Sequence, residues 1–146
     1  MKKGLKIISL ILVLSLLLAV PVNAEGNAEP RGSAFFGSYC TFLERGDHYS
    51  VEVWFDVDSN GRQMDEIGTT LIDLYESKDG ENWTKVKIFE VENYPEMVDY
   101  NTVSHTGHVT YYASMPGYYY RAYVTFYAKN STGIGKRFVY TGILLR

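Results

Sequence analysis

The sequence has almost no cysteine: Cys40 is the only one among 146 residues. A disulfide within the chain is therefore excluded, so any folded part must be held together by packing rather than by the covalent crosslinks common in small exported domains. Because no His–Cys pattern surrounds Cys40, we predict that it is a small buried apolar residue. An intermolecular disulfide or thiol chemistry is the alternative.

Positive charge is also scarce. The chain has 14 Lys and Arg against 17 Asp and Glu, and three of the basic residues, Lys2, Lys3 and Lys6, stand at its very start. The remainder is therefore distinctly acidic. Binding of nucleic acid without sequence preference needs clustered Lys and Arg to neutralise phosphates, so we expect no nucleic-acid partner.

A long apolar run occurs only near the N-terminus. Residues 7–20 are apolar apart from two serines, and Pro21 and the small residue Ala24 follow them. Together with the basic start, this order is typical of a secretory signal, and we predict a signal peptide over residues 1–24, cleaved near Ala24. A membrane anchor is the alternative, but a spanning helix needs about 20 apolar residues. We therefore expect a secreted, extracellular protein without a stable membrane anchor.

A helical period of about 3.6 residues is missing from the rest of the chain, whereas alternation of apolar and polar residues recurs. Residues 25–33 are rich in Gly, Pro, Asn and Glu and are predicted to be a flexible leader before a single domain, residues 34–146. All the aromatic residues (two Trp, 13 Tyr and seven Phe) lie beyond residue 24. Seven segments have strand character: about Ala34–Leu43, Tyr49–Val57, Thr69–Glu76, Thr84–Val91, His108–Ala113, Tyr118–Ala128 and Arg137–Leu145.

The alternation also predicts which side chains face the core. It is strongest over residues 118–128, where the even-numbered side chains should point inward and the odd-numbered ones outward. The other segments predict these inward residues: Tyr49, Val51, Val53, Phe55, Val57, Ile72, Leu74, Val109, Tyr111 and Ala113. Residues 92–106, which include Pro95, are predicted to be an irregular crossover between sheets.

Seven short alternating strands predict an all-β, antiparallel two-sheet sandwich, with a barrel as the alternative. Asp79-Gly80, between the third and fourth strands, predicts a hairpin. Tyr120 follows the Pro116-Gly117 turn near the start of the sixth strand, and this arrangement resembles the tyrosine corner of immunoglobulin-like domains of the fibronectin type III branch. The resemblance implies that strands one, two and five form one sheet and strands three, four, six and seven the other.

Three runs resemble a family of small secreted proteins of Gram-positive bacteria. They are Met64–Gly68, Tyr94–Met97 and Gly117–Thr125, and the hairpin that ends in Trp83-Thr84 accompanies them. The family is catalogued only as a domain of unknown function. The resemblance implies secretion and a single domain, and it implies no activity and no functional residues.

Patterns that carry catalysis are lacking. The chain has no Gly-x-Ser-x-Gly and no Cys–His signature, so we predict no catalytic residue and a protein that is not an enzyme. His105 and His108, with His48, could be three zinc ligands, but His-x-x-His alone does not show that the rings converge. Surface histidines are the favoured interpretation.

The segment after the second strand matches the opening of a calcium loop. Asp56, Asp58 and Asn60 stand at alternate positions before Gly61, and a calcium ion takes roughly six to eight oxygen ligands. The twelfth position, where a bidentate Glu belongs, is Ile67. The candidate calcium ligands are therefore Asp56, Asp58 and Asn60, with a plain hairpin loop as the favoured alternative. No other cofactor is predicted.

The outward face of the sixth strand is the most suggestive feature. Tyr119, Tyr123 and Tyr127 alternate with Arg121, and the third strand is expected to place Tyr75 beside them. Tyrosine offers a flat apolar area with a polar tip, which suits the faces of sugars or a protein partner. The alternative is that these rings only stabilise the sheet, because tyrosine is a preferred strand residue.

The predicted function is therefore a non-catalytic extracellular binding module for a glycan, a cell-wall polymer or a protein, with Tyr75, Tyr119, Arg121, Tyr123 and Tyr127 as its binding residues. A small secreted antimicrobial or toxin-like protein is the alternative. Two further predictions concern tryptophans. Trp54, with Glu52 and Tyr112, is a second and smaller candidate surface. Trp83 is expected to cover the edge of the core.

Overall fold

The computed structural model describes residues 34–146, so the predicted signal peptide and flexible leader lie outside the described residues. No helical segment of residues 34–146 has the length and apolarity needed to cross a bilayer. The described chain forms strands β1 (Ser38–Arg45), β2 (Val51–Asp58), β3 (Met64–Ser77), β4 (Thr84–Glu90), β5 (Val98–Thr102), β6 (Ser104–Tyr111), β7 (Tyr119–Asn130), β8 (Gly133–Tyr140) and β9 (Leu144–Leu145), with a short 3₁₀ turn at Pro95–Met97.

The strands form two antiparallel sheets that pack as a sandwich. One sheet has the order β1-β2-β6, and the other has the order β4-β3-β7-β8. Strand β5 pairs with the first part of β3, on the same side of β3 as β4. Strand β9 pairs with the start of β7, which extends beyond its pairing with β8. This partition confirms the predicted sandwich, including which strands belong to which sheet, and it is not the barrel that was the alternative.

Two predicted segments differ from the structure. Residues 92–106 are not irregular, because they contain the 3₁₀ turn, β5 and the start of β6, and the chain changes sheets between Thr102 and Ser104. The predicted seventh strand is divided into β8 and β9. It breaks at Thr141, whose hydroxyl accepts a hydrogen bond from the Ala122 backbone N–H at 2.9 Å. The Thr141 side chain thus accepts the hydrogen bond of the Ala122 N–H, which the backbone of a continuous strand would otherwise have accepted.

The core lies between the two sheets and confirms the predicted alternation of β7, since its even-numbered residues from Tyr120 to Ala128 are all buried. Tyr49 and Ala113 were wrongly predicted to face inward. Tyr49 is 62% exposed in the turn before β2, and Ala113 is exposed beyond the end of β6. The fully buried core includes Val51, Val53, Val57, Met64, Ile67, Ile72, Leu74, Phe89, Met97, Tyr120, Ala122, Val124, Phe126 and Ala128.

Cys40 is exposed, so the prediction that it is buried is wrong. It lies on the outward side of β1, opposite Asp56 of β2. The alternation of β1 instead turns Tyr39 and Leu43 toward the core. Strand β1 lies at the edge of its sheet, and one of its faces carries few apolar residues. The sequence pattern was therefore too weak to show which of its two faces points toward the core.

The tyrosine corner forms as the resemblance implied. The Met115 backbone N–H donates a hydrogen bond to the Tyr120 hydroxyl oxygen at 2.8 Å, and the hydroxyl donates one to Glu76 at 3.1 Å. Burial raises the pKa of Tyr120, the Met115 N–H lowers it and the Glu76 carboxylate raises it, and together they bring this pKa to about 12. The bond fastens the loop between β6 and β7 to the core.

Replacing Tyr120 by phenylalanine is expected to lower the free energy of unfolding by about 1 kcal/mol, because a buried hydrogen bond is lost. The tyrosine binds its proton more tightly in the folded state than in the unfolded state. Its contribution is therefore complete below about pH 10 and is lost as the pH rises through about 12. Urea unfolding at several alkaline pH values measures both effects. Equal stability of parent and variant at neutral pH would contradict the assigned bond.

Candidate functional site

The outer face of the β4-β3-β7-β8 sheet carries a cluster of aromatic side chains around one arginine. Antiparallel register places Arg121 of β7 opposite Tyr75 of β3, and Tyr123 of β7 opposite Tyr140 of β8. Trp83, the residue immediately before β4, joins them. We call this cluster the aromatic face; it consists of Tyr75, Trp83, Arg121, Tyr123, Phe138 and Tyr140.

Arg121 lies at the centre of the aromatic face. Its guanidinium carbon is 4.2 Å from the centroid of the Trp83 ring, 5.2 Å from that of Tyr140 and 5.8 Å from that of Tyr75. These distances are those of cation–π interactions. The arginine forms no ion pair with a carboxylate of residues 34–146, and its Nε atom is buried without a hydrogen-bond partner there. The aromatic face thus holds a cation that only ring faces compensate.

The Tyr123 ring contacts two exposed rings of β8, those of Phe138 and Tyr140. Its ring is nearly parallel to that of Phe138, with centroids 6.1 Å apart, and lies 4.7 Å from that of Tyr140. Phe138 is 58% exposed and Tyr140 is 55% exposed. Two large apolar side chains on neighbouring positions of one strand face therefore remain open to solvent beside the arginine.

Two carboxylates on the outer face of this sheet, Asp73 beside the aromatic face and Glu66 at the far end of β7, are paired with lysines. Asp73 forms an ion pair with Lys85 at 2.7 Å, and Glu66 forms one with Lys129 at 2.6 Å. The hydrogen bond to Asp73 raises the pKa of Lys85, and the bond to Glu66 raises the pKa of Lys129. Because each of these acids is matched by a lysine, the charge of Arg121 is not cancelled by them.

The hairpin between β3 and β4 positions Trp83. The Asp79 carboxylate accepts hydrogen bonds from the backbone N–H groups of Glu81 and Asn82, from the Asn82 side-chain amide and from the Ser77 hydroxyl. These bonds, led by those from Asn82, hold the pKa of Asp79 well below its usual range. Trp83 was predicted to cover the edge of the core, but its ring stacks on Arg121 on the outer face of the sheet.

Three of the five predicted binding residues come together in the aromatic face: Tyr75, Arg121 and Tyr123. Tyr119 is the first residue of β7, opposite Ser77 and Leu145, and Tyr127 lies toward the other end of the strand, opposite Gly68 and Lys136. In the described residues no ring contact joins either of them to the cluster. Burial, followed by the nearby Glu66 carboxylate, raises the pKa of Tyr127.

Sequence reasoning missed Phe138 and Tyr140 as surface residues. The signal was present, because β8 alternates and the even-numbered residues Ile134, Lys136, Phe138 and Tyr140 are the exposed ones. What the alternation could not supply was the register that sets Tyr140 against Tyr123. The charged residue Arg137, at a position of inward parity just before Phe138, also made the segment look less like a half-apolar strand.

The second candidate surface, on the other sheet, has different members from those predicted. The Trp54 ring stacks between His108, at 4.4 Å, and Phe42, at 6.3 Å, and its Nε1 donates a hydrogen bond to Glu52 at 3.0 Å. Tyr112, which was expected here, lies beyond the end of β6 and is highly exposed. The three rings form a ladder across three strands, which accounts for Trp54 as a stabilising residue.

The predicted calcium ligands take part in local hydrogen bonds. The Thr106 hydroxyl donates to the Asp56 carboxylate, and the Asn60 backbone N–H donates to that of Asp58. Asn60 has a left-handed φ of 59°, as turn residues often do. No group of three His, Cys, Asp or Glu side chains within residues 34–146 is arranged to hold a metal ion. The hairpin alternative accounts for these contacts, and calcium binding stays a prediction.

The histidines do not converge in the way that a zinc site needs. His105 contacts the buried Phe55 ring at 5.5 Å and the Glu96 carbonyl oxygen at 2.9 Å. His108, three residues later on β6, stacks on Trp54 at the outer face of the sheet. The two rings therefore lie on opposite faces of one strand, as the alternation of β6 requires.

Comparison of the chain with protein-family models, with curated proteins and with solved structures found no match. The resemblance to secreted proteins of Gram-positive bacteria therefore stays a prediction.

Proposed function

We propose that the protein is a non-catalytic extracellular binding module that holds a glycan or cell-wall polymer on the aromatic face. The observation that carries this proposal is the position of Arg121, stacked among Trp83, Tyr75 and Tyr140 without a carboxylate partner in residues 34–146. The extracellular location rests on the predicted signal peptide.

Sugar chemistry suits such a surface. The apolar C–H face of a sugar ring packs on an aromatic ring, while its hydroxyl groups need hydrogen-bond donors at the edge. Phe138 and Tyr140 offer exposed ring surface, and the Arg121 guanidinium and the tyrosine hydroxyls offer donors. A polymer can lie across an open sheet without entering a cleft, which agrees with binding without turnover.

The competing explanation is that the rings only stabilise the sheet. Cross-strand aromatic pairs contribute to stability in any antiparallel sheet. The two explanations differ in the effect of removing the most exposed rings. Loss of Phe138 and Tyr140 should impair binding and leave most of the fold intact if the face is functional, since both side chains project into solvent.

We expect the double variant Phe138→Ala/Tyr140→Ala to bind insoluble cell-wall polysaccharide at least about tenfold more weakly than the parent, a loss of about 1.4 kcal/mol. Ile134→Ala is the matched control, because Ile134 is exposed on the same side of β8 but lies at the far end of the strand. It should bind like the parent. Co-sedimentation measures binding, and melting temperatures check folding.

Equal retention of the parent, the double variant and the control would contradict the proposal and leave the aromatic face a structural feature. Periodate treatment of the cell-wall material, which cleaves vicinal diols of sugars, separates a glycan from a protein partner. Retention that survives periodate but not protease digestion would replace the glycan by a protein partner.

A further inference from the structure

A groove opens elsewhere on the sandwich, lined by residues of β4 and β6, the edge strands of the two sheets, and by residues that follow these strands. Its volume is about 370 Å³, which lies within the usual range for small-molecule sites. It is distinct from the aromatic face and shares no residue with it. The lining residues are Lys87, Tyr94, Thr110, Tyr111, Tyr112 and Ala113.

Lys87 is the cation of this groove. Its Nζ atom lies 5.5 Å from the centroid of the Phe89 ring and 5.6 Å from that of Tyr94. It forms no ion pair with a carboxylate in the described part of the chain. Lys85, two residues earlier on the same strand, has its ammonium group 2.7 Å from Asp73 on the outer face. Asp73 of β3 therefore neutralises Lys85, whereas Lys87 contacts aromatic rings alone.

A carboxylate whose charge acts on Tyr111 already has a hydrogen-bond partner. Glu76 accepts the hydrogen bond of the Tyr120 hydroxyl at 3.1 Å, inside the sandwich. Partial burial, followed by the Glu76 charge, raises the pKa of Tyr111, whereas the charge of Lys87 lowers it. Lys87 and Glu76 thus have opposite effects on the pKa of Tyr111, and they form no ion pair with each other. An anion entering the groove would meet an ammonium group that has no carboxylate in contact with it.

The remaining groups of the groove fix the chemistry of the ligand. Tyr94, Tyr111 and Tyr112 supply ring surface, so the lining is mainly apolar, and Lys87 is its only charged residue. A purely apolar ligand would leave the Lys87 ammonium group without a partner, whereas a sugar has apolar C–H faces that pack on such rings and can also carry a charge. A carboxylate on that sugar would complement Lys87.

We propose that the groove between β4 and β6 binds a sugar acid, with the sugar ring against the tyrosines and its carboxylate at Lys87. The site operates independently of the aromatic face. A chain of hexuronic acid residues is the ligand class that offers both the apolar ring face and the carboxylate in one repeating unit. A neutral sugar lacks the charge.

The test titrates ¹⁵N-labelled protein with trigalacturonate and follows the backbone amides by NMR. We expect shifts at Lys87, Thr110 and Ala113 that saturate below about 10 mM ligand. The methyl-esterified trisaccharide, which has the same rings without charge, should bind about fivefold more weakly, as expected for one exposed ion pair of about 1 kcal/mol. Lys87→Gln should weaken binding of the acid by the same factor and leave binding of the ester unchanged.

Lys85→Gln is the matched control for charge, because it removes a lysine from the same strand on the opposite face; it should bind the acid like the parent. Tyr112→Ala removes a highly exposed ring and should weaken binding of both trisaccharides. Equal affinity for acid and ester, or equal losses in Lys85→Gln and Lys87→Gln, would overturn the proposal, as would a lack of shifts in the groove. Shifts confined to the aromatic face would overturn it while supporting the proposed function.

Discussion

Replacing Phe126 by alanine is expected to lower the free energy of unfolding by about 4 kcal/mol. Phe126 is fully buried on the central strand β7, and its ring lies 5.3 Å from that of Tyr39, which packs from the opposite sheet. Removing the ring leaves a cavity between the two sheets, which the paired backbones of β3, β7 and β8 cannot close by moving inward. Urea unfolding of parent and variant measures the difference.

Tyr127→Ala is the control, because Tyr127 is the next residue and its side chain points to the outer face. Its loss should lower stability by about 1 kcal/mol, the scale of a cross-strand contact. The comparison tests the alternation of β7 directly, since the two residues share a strand and similar ring size. Equal losses at both positions would show that the inward and outward faces of β7 are wrongly assigned.

The alternation of β7 could be predicted from sequence because both of its faces are strongly marked. The inward residues are apolar or are the corner tyrosine, and the outward ones carry a hydroxyl or a charge. A strand in the middle of a sheet has one face on the core along its whole length, so a period of two runs through it without interruption. The same reason makes the inward positions of β2 correct from Val51 to Val57.

Edges and turns could not be predicted in the same way. Strand β5 is mostly polar, with the sequence Val-Asp-Tyr-Asn-Thr, and it is a strand because β3 extends far enough to pair with it. Tyr49 continues the pattern of β2 in sequence, yet it adopts a left-handed φ of 59° in the turn before that strand. In each case the outcome depends on a neighbouring segment rather than on local composition.

The candidate site was predictable along β7 and unpredictable across the strands. Arg121 and Tyr123 were identified because they stand on one strand face. Trp83 and Tyr140 join them only through the hairpin geometry around Asp79 and the register of β8. Tyr127 follows the same alternation as Tyr123, but it lies six residues from Arg121, and at about 3.4 Å per residue this distance carries it away from the cluster. Tyr119 lies only two residues from Arg121, but its ring is beside Gly80 in the hairpin and makes no ring contact with the cluster.

Replacing Gly68 by alanine is expected to lower the free energy of unfolding by at least about 3 kcal/mol, through backbone strain and steric overlap together. Gly68 has a φ of 154°, which side-chain-bearing residues rarely adopt. A Cβ atom there would lie 2.2 Å from the Met97 carbonyl oxygen and 2.8 Å from the Val98 Cα atom. Both are backbone atoms, so neither can rotate away as a side chain could.

Alanine variants of two other glycines separate the effect of backbone strain from that of steric overlap. Gly117 has a φ of 78° and open space around it, so Gly117→Ala should show the conformational strain alone, about 1 kcal/mol. Gly142 has open space and no left-handed φ, so Gly142→Ala should show no loss. The urea concentration at the midpoint of unfolding should therefore be highest for Gly142→Ala, lower for Gly117→Ala and lowest for Gly68→Ala. If Gly68→Ala were no worse than Gly117→Ala, the backbone around Met97 would have to lie farther from β3, and β5 could not pair with that strand as described.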